Sequence, residues 1–164
     1  MIDELTFNQL KVNKALERDW KLILEILKET ELIIGFTGKE NYKDFYIVID
    51  INQKIIACFA IYIENNIGIL KYFAVNPKIQ SKGVGKYLAN EILPGLAKGL
   101  GLTKLYLAAG NKDPFTSFYF WQKTAFKQIS KNDIKDKYFL NYFSDVINKF
   151  SNYFGDSSAF YIEI

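Results

Sequence analysis

Between residues 13 and 33, Leu16, Trp20, Ile23, Leu24 and Leu27 recur at intervals of three and four, with charged residues elsewhere. That is the spacing of one helix face, and it predicts an amphipathic helix laid on a sheet with this stripe as core. The stretch from Gly35 to Asn41 keeps no period and reads as loop. From Phe45 the pattern changes to short β-branched and aromatic runs at 45–49, 54–63 and 67–75. Asp50-Ile51-Asn52-Gln53 and Asn65-Asn66 separate them with turn chemistry, so three consecutive antiparallel strands are predicted. The helical period returns over 87–99, where Pro94-Gly95 removes a backbone donor and predicts a kink or division near Leu93. Residues 104–109 read as a strand, Pro114 stands where a further helix would begin, and 125–130 and 159–164 read as the last strands. Before the last of these, Tyr138, Phe139, Tyr142, Phe143, Val146, Ile147 and Phe150 recur at helical spacing with lysines and asparagines between. Such an aromatic helix could cover a pocket, form a dimer contact or pack on the domain's own sheet. No repeat, linker or low-complexity tract interrupts the pattern, so a single α/β domain over 1–164 is expected.

Composition narrows the function classes. With 164 residues and 49% apolar positions, the chain can bury a real core. The formal charge is only +3, so nothing in the balance calls for a nucleic acid or a membrane surface. A nucleic-acid-binding module would need a clustered basic face with stacking aromatics, whereas the aromatics here fall at core periodicity. One cysteine, Cys58, permits no internal disulfide and suits a reducing compartment. The start, Met-Ile-Asp-Glu-Leu, lacks a basic n-region, and no apolar run is long enough to span a bilayer, so a cytoplasmic location is expected. There is no histidine at all. A His general base, a Ser-His or Cys-His nucleophile and a His-ligated metal are therefore excluded, and one cysteine cannot build a structural zinc site. No metal is expected. Any chemistry must come from Tyr, Asp, Glu, Lys, backbone amides or a bound cofactor.

The most telling local motif is Gln80-Ser81-Lys82-Gly83-Val84-Gly85-Lys86, set between the 67–75 strand and the following helix. A glycine-bearing turn at a helix start leaves backbone N–H groups aimed outward, where the helix dipole also favours an anion. Gly83 and Gly85 allow that backbone to approach a pyrophosphate, while Lys82 and Lys86 add positive charge. A P-loop would need glycine at position 80 and Ser or Thr at 87, where Gln80 and Tyr87 stand. A dinucleotide fingerprint would need a third glycine at 88, where Leu88 stands.

The same residues match, at each fixed position, the Gln/Arg-x-x-Gly-x-Gly/Ala acyl-CoA signature of the GNAT superfamily of N-acyltransferases. Phe73-Ala74-Val75-Asn76-Pro77 resembles the end of that family's fourth strand. Lys104 to Ala108 resembles its fifth strand, and Phe120-Trp121-Gln122-Lys123-Thr124-Ala125-Phe126 its Phe-Tyr-x-Lys-x-Gly-Phe segment. The resemblance covers roughly residues 45–130 in the family's order. It implies a mixed, mostly antiparallel central sheet flanked by helices, with the aromatic helix before the last strand as an addition. It also implies acetyl-CoA as co-substrate and an amine as acceptor. Backbone groups at Phe73 and Val75 would hold the pantetheine and thioester, Gln80, Ser81, Lys82, Gly83, Val84, Gly85 and Lys86 the pyrophosphate, and Asn111 the cofactor arm.

The acid–base half of the resemblance is thinner. Trp121 falls where the family commonly has its tyrosine acid, and an indole N–H is no acid near neutral pH. Its expected role is to wall the thioester end of the pocket, with Tyr142 of the aromatic helix as a second lining residue. Tyr119 lies two positions earlier on a different helix face. On the fourth strand Ile69, Lys71 and Tyr72 occupy the positions where an acidic base is usual. Tyr72 and Tyr119 are thus the catalytic candidates, with Glu64 as a further relay through water. Two outcomes stay open: transfer resting on proximity and oxyanion stabilisation, or a domain that binds CoA and turns over weakly.

Overall fold

The computed structural model describes residues 7–79, 83–110, 117–154 and 157–164. Seven strands form one sheet in the order β1-β2-β3-β4-β5-β7-β6. They are β1 (Lys11–Lys14), β2 (Phe45–Ile49), β3 (Ile55–Glu64), β4 (Ile67–Val75), β5 (Lys104–Ala109), β6 (Lys127–Ile129) and β7 (Ser158–Glu163). The helices are α1 (Trp20–Glu29), α2 (Val84–Tyr87), α3 (Leu93–Gly99), α4 (Ser117–Gln122) and α5 (Lys137–Phe154), with a π-helical turn, Leu88–Ile92, joining α2 to α3. The sheet is mixed and mostly antiparallel, as expected: β4 and β5 run parallel, while β1–β2, β2–β3, β5–β7 and β6–β7 are antiparallel. The chain divides into two compact units, one of Met1–Tyr62 with Leu70–Tyr87, the other of Ile63–Ile69 with Leu88–Ile164.

In the first unit the five residues of β2 and the first seven of β3 are all buried, which accounts for their near-continuous apolar composition. The turn between them is set by Asp50, whose Oδ1 accepts the amides of Asn52 and Lys54, both at 2.9 Å. Helix α1 buries Ile23, Ile26 and Leu27 against Phe45, Ile47, Cys58 and Ala74. It ends at Thr30, whose hydroxyl donates to the Ile26 carbonyl at 2.9 Å. The helix begins seven residues later than the periodicity predicts, and Leu16 is 51% exposed rather than core. Of the intervening residues, Asn13 and Lys14 belong to β1, which pairs from Lys11↔Ile49 to Lys14↔Tyr46, and Glu17–Asp19 form a 3-10 turn before the helix. This strand is short, polar and lysine-bearing, features that suit a sheet edge and leave no alternating pattern to read.

In the second unit, β4 starts beside β5 in three register pairs, Ile67↔Lys104, Gly68↔Leu105 and Ile69↔Tyr106. Strand β7 then enters between β5 and β6. Helix α5 lays Phe139 and Phe143 on this part of the sheet, in one cluster with Ile69, Tyr106 and Ala159. The Phe139 ring stacks on Tyr106 at 4.4 Å and on Phe143 at 5.7 Å. Tyr106 donates its hydroxyl to Asp136, which Lys104 also approaches at 3.6 Å. Packing on the domain's own sheet thus describes Phe139 and Phe143. The break predicted near Leu93 takes the form of the π turn just before it. Pro94 follows that wider turn inside the helical run, and the altered bonding there accommodates a residue with no N–H.

Candidate active site

Tyr72 is the pivot of the first unit. Its φ of +58° places it in the left-handed region in the middle of β4. A left-handed residue inside a strand turns the peptide planes on either side and breaks the two-residue alternation. Leu70, Lys71, Tyr72, Phe73 and Ala74 accordingly show no strict alternation of buried and half-buried positions. For a bulky residue this conformation costs on the order of 1–3 kcal/mol and persists only where the surroundings dictate it. Here they do. The ring lies 4.8 Å from that of Phe36 and 5.8 Å from that of Phe45, and Trp20 stacks on Phe36 and meets Phe45 at a tilt. The Tyr72 hydroxyl reaches Glu40 Oε2 at 2.6 Å and the Gly35 carbonyl at 3.0 Å.

Glu40 was hidden to sequence reading. It belongs to a stretch without period, 32 positions from Tyr72, and no local signal links the two. Its carboxylate is cradled by its own loop: Oε1 accepts the amides of Thr37, Gly38 and Lys39 at 2.9–3.1 Å. Burial by itself would raise its pKa. The hydrogen bonds from Tyr72, from Thr37 and from the residue's own amide outweigh that and hold it below the ordinary carboxylate value. Gly35 leaves room for the Tyr72 ring, since a Cβ there would stand 3.3 Å from Cε1.

Beyond Tyr72, β4 runs through Phe73 to Val75, and Asn76 then turns the chain toward the glycine motif. Asn76 is 4% exposed, and its bonds explain why. Nδ2 donates to the Ile55 carbonyl at 3.1 Å, Oδ1 accepts the Lys78 amide at 3.0 Å, and its own amide donates to Ile56 at 2.8 Å. This short residue pins the exit of β4 to β3. Gln80, Ser81 and Lys82 lie outside the described residues. Gly83 follows with φ +89°, a conformation that favours glycine, and its carbonyl accepts the first helical bond from Tyr87 at 2.9 Å. Val84 is buried, Gly85 half-buried and Lys86 exposed, in the first turn of the helical run that continues to Gly99. Gly83, Val84, Gly85 and Lys86 are thus placed at a helix start, as their composition predicts.

The remaining candidates fall in the second unit. Trp121 is 4% exposed and packs edge-on against Phe120 and Phe126, each at 4.9 Å, so it is core there. Tyr119 is 59% exposed, with its ring against Phe118. Tyr142 lines an open cavity of about 670 Å³ with Glu64, Lys137, Tyr138, Asn141, Ser144 and Asp145, and burial raises its pKa. Asn111 and Pro114 lie outside the described residues. Among the described residues, no group of three or more Cys, Asp or Glu could hold a metal ion, and no helix is long and apolar enough to cross a membrane.

Cys58 is wholly buried, and burial pushes its thiol up to about 12, so it is no nucleophile. The folded protein is expected to leave Ellman's reagent unreacted over minutes and to react with one equivalent in denaturant. A stoichiometric reaction of the native protein would contradict this burial.

The Acetyltransferase (GNAT) family profile matches residues 11–126. The chain belongs to this family. It is 30% identical over 141 residues to an amino-acid acetyltransferase of Photorhabdus laumondii, an alignment covering 80% of this chain and 30% of that protein. Among solved structures, it resembles N-acetylglutamate synthase from Neisseria gonorrhoeae, complexed with coenzyme A and N-acetyl-glutamate. The TM-score is 0.66 at 18% identity, over 94% of this chain and 35% of that one. It also resembles PaiA N-acetyltransferase from Thermoplasma acidophilum in complex with coenzyme A, with TM-score 0.61 at 14% identity over 94% and 99% of the two chains. The chain thus spans about a third of the length of the first two and nearly all of the third.

Proposed function

We propose that this chain is an N-acetyltransferase that moves the acetyl group of acetyl-CoA directly to a primary amine. The observation that carries the reading is the left-handed Tyr72 within β4, followed by the Asn76 turn and the glycine-bearing helix start. The turn of the peptide planes at Tyr72 sets the direction of the strand end that follows, where the amides at Phe73 and Val75 would meet the thioester carbonyl and the pantetheine. Gln80, Ser81, Lys82, Gly83, Val84, Gly85 and Lys86 would hold the pyrophosphate, and Asn111 would orient the cofactor arm. The amine, after its ammonium gives a proton to solvent, attacks the thioester carbon, and the oxyanion rests on backbone N–H groups; the nitrogen then loses a further proton to solvent as the C–S bond breaks, and the released CoA thiolate takes one up from solvent. Holding both reactants in line supplies most of the acceleration, on the order of 7–11 kcal/mol for a well-aligned pair. Tyr119 is the candidate side-chain acid on α4, because Trp121 carries only an indole N–H.

The Photorhabdus relative makes amino acids the first acceptors to try, beside simple alkylamines. Incubation of the protein with acetyl-CoA and each amine should release CoA thiol and acetylated amine in equal amounts. CoA binding without any transfer would favour the second reading, a cofactor-binding domain of little activity, to which the buried Trp121 at the expected acid position lends support.

A further inference from the structure

The open cavity of about 670 Å³ belongs to the second unit, where the end of β3 meets one face of α5. Its helical residues recur at intervals of three and four, and Glu64, the last residue of β3, joins them from outside the helix. Asp145 already has a partner in Lys149 at 3.4 Å. Glu64, Lys137, Asn141 and Ser144 differ: among the described residues, none of these four side chains has a hydrogen-bond or ion-pair partner. One carboxylate, one ammonium, one carboxamide and one hydroxyl thus line a single volume with their bonding capacity unused. The Glu64 charge acts on the wall it shares, because burial first and that carboxylate second raise the pKa of the Tyr138 phenol. The rings of Tyr138 and Tyr142 are half-buried and pack against the cluster that holds Phe139 and Phe143, which makes them a firm apolar surface.

We infer that this cavity binds a free α-amino acid: Glu64 takes its ammonium, Lys137 its carboxylate, and the Tyr138 and Tyr142 rings its side chain. The pair of opposite charges decides the class of ligand. A simple amine would leave Lys137 unanswered, a simple carboxylate would leave Glu64 so, and a zwitterion satisfies both. Asn141 and Ser144 each offer a donor and an acceptor, so they serve either end of the ligand. The cavity is open and its charges are screened, so affinity is modest, with a Kd of about 1 mM. This site goes beyond the N-acetyltransferase reading and does not rest on it, because the ligand is held without acetyl-CoA.

The test uses the whole chain, no acetyl-CoA and three probes. These are L-leucine, 3-methylbutylamine, which is leucine without its carboxylate, and 4-methylpentanoate, which is leucine without its ammonium. A titration followed by backbone amide shifts should saturate with leucine, the largest changes falling at Glu64 and along 137–145. Each one-charge probe should bind about fivefold more weakly, the upper end for one exposed ion pair. Glu64→Gln should weaken leucine about fivefold and erase its advantage over 4-methylpentanoate, since the ammonium then has no counter-charge. Lys137→Gln should weaken it equally and erase its advantage over 3-methylbutylamine. Both positions are exposed, so both variants should melt with the wild type. No saturable leucine binding, or binding that maps to other residues, would overturn the site. Equal affinity for the three probes would reduce the cavity to an apolar surface and refute the pairing of charges. Leucine affinity unaltered in both variants would refute it as well. Since acetyl-CoA is absent throughout, these results leave the transferase reading untouched: a protein that transfers acetyl groups yet binds no leucine here loses this site alone.

Discussion

Valine at position 85 is expected to weaken CoA binding at least about 100-fold while leaving thermal stability nearly unchanged. Gly85 stands in the first turn of a helix, where valine is tolerated at least as well as glycine, so the fold has no reason to suffer. The proposed ligand does. A pyrophosphate lying on the helix N-terminus approaches the backbone closely, and a branched side chain would hold it away from the amides that bind it. Gly83→Val should behave differently. Its φ of +89° penalises any β-branched residue, and Phe7 lies 3.9 Å from where its Cβ would stand. That variant should lose CoA binding and also melt lower. The contrast is the informative result: loss of binding without loss of stability at 85, loss of both at 83. Calorimetry and thermal melts of the two variants decide it. A stable Gly85→Val protein with unaltered CoA affinity would remove the cofactor loop from its proposed role.

What sequence could deliver, and what it could not, follows the range of the interactions involved. The β2, β3 and β4 runs and the Gly83–Lys86 part of the glycine motif are encoded within a dozen residues each, by composition and spacing, and they stand where the pattern places them. Strand β1 is defined by its partner, Phe45–Ile49, and not by its own residues, so Lys-Val-Asn-Lys carried no period to detect. Leu16 illustrates the same limit. It continues the helical spacing of α1 on paper, yet the chain there is still emerging from the edge strand. The site shows the sharpest contrast. Tyr72 was a candidate because of its position on β4, but its left-handed backbone is imposed by Phe36, Phe45 and Glu40, all distant in sequence. Strand β4 itself carries no acidic residue. The carboxylate comes instead from a loop, through one side-chain contact across 32 positions. No periodicity argument reaches such a contact.

The aromatic helix α5 offers the cleanest separation of core from surface. Phe139 is wholly buried between Tyr106 and Phe143, with both rings nearly parallel to its own. Truncation to alanine removes that stack and leaves a cavity against a sheet that cannot close over it, at a cost of about 3–5 kcal/mol. Against a total stability of roughly 5–15 kcal/mol, this is a large share, and the melting temperature should fall by about 6–20 °C. Phe143→Ser, at 3% exposure, should follow the same course, with a buried hydroxyl added to the lost packing. Tyr142 occupies the next position round the helix, on the wall of the open cavity with Glu64 and Asp145. Tyr142→Ser should therefore cost less, on the order of 1–2 kcal/mol, because part of its surface already meets solvent. Urea denaturation of the three variants gives the order directly, with unchanged slopes as the check that one transition is being compared. If Tyr142→Ser proved as damaging as Phe139→Ala, its ring would belong to the core. If Phe139→Ala melted with wild type, the helix would contribute little to holding this sheet together.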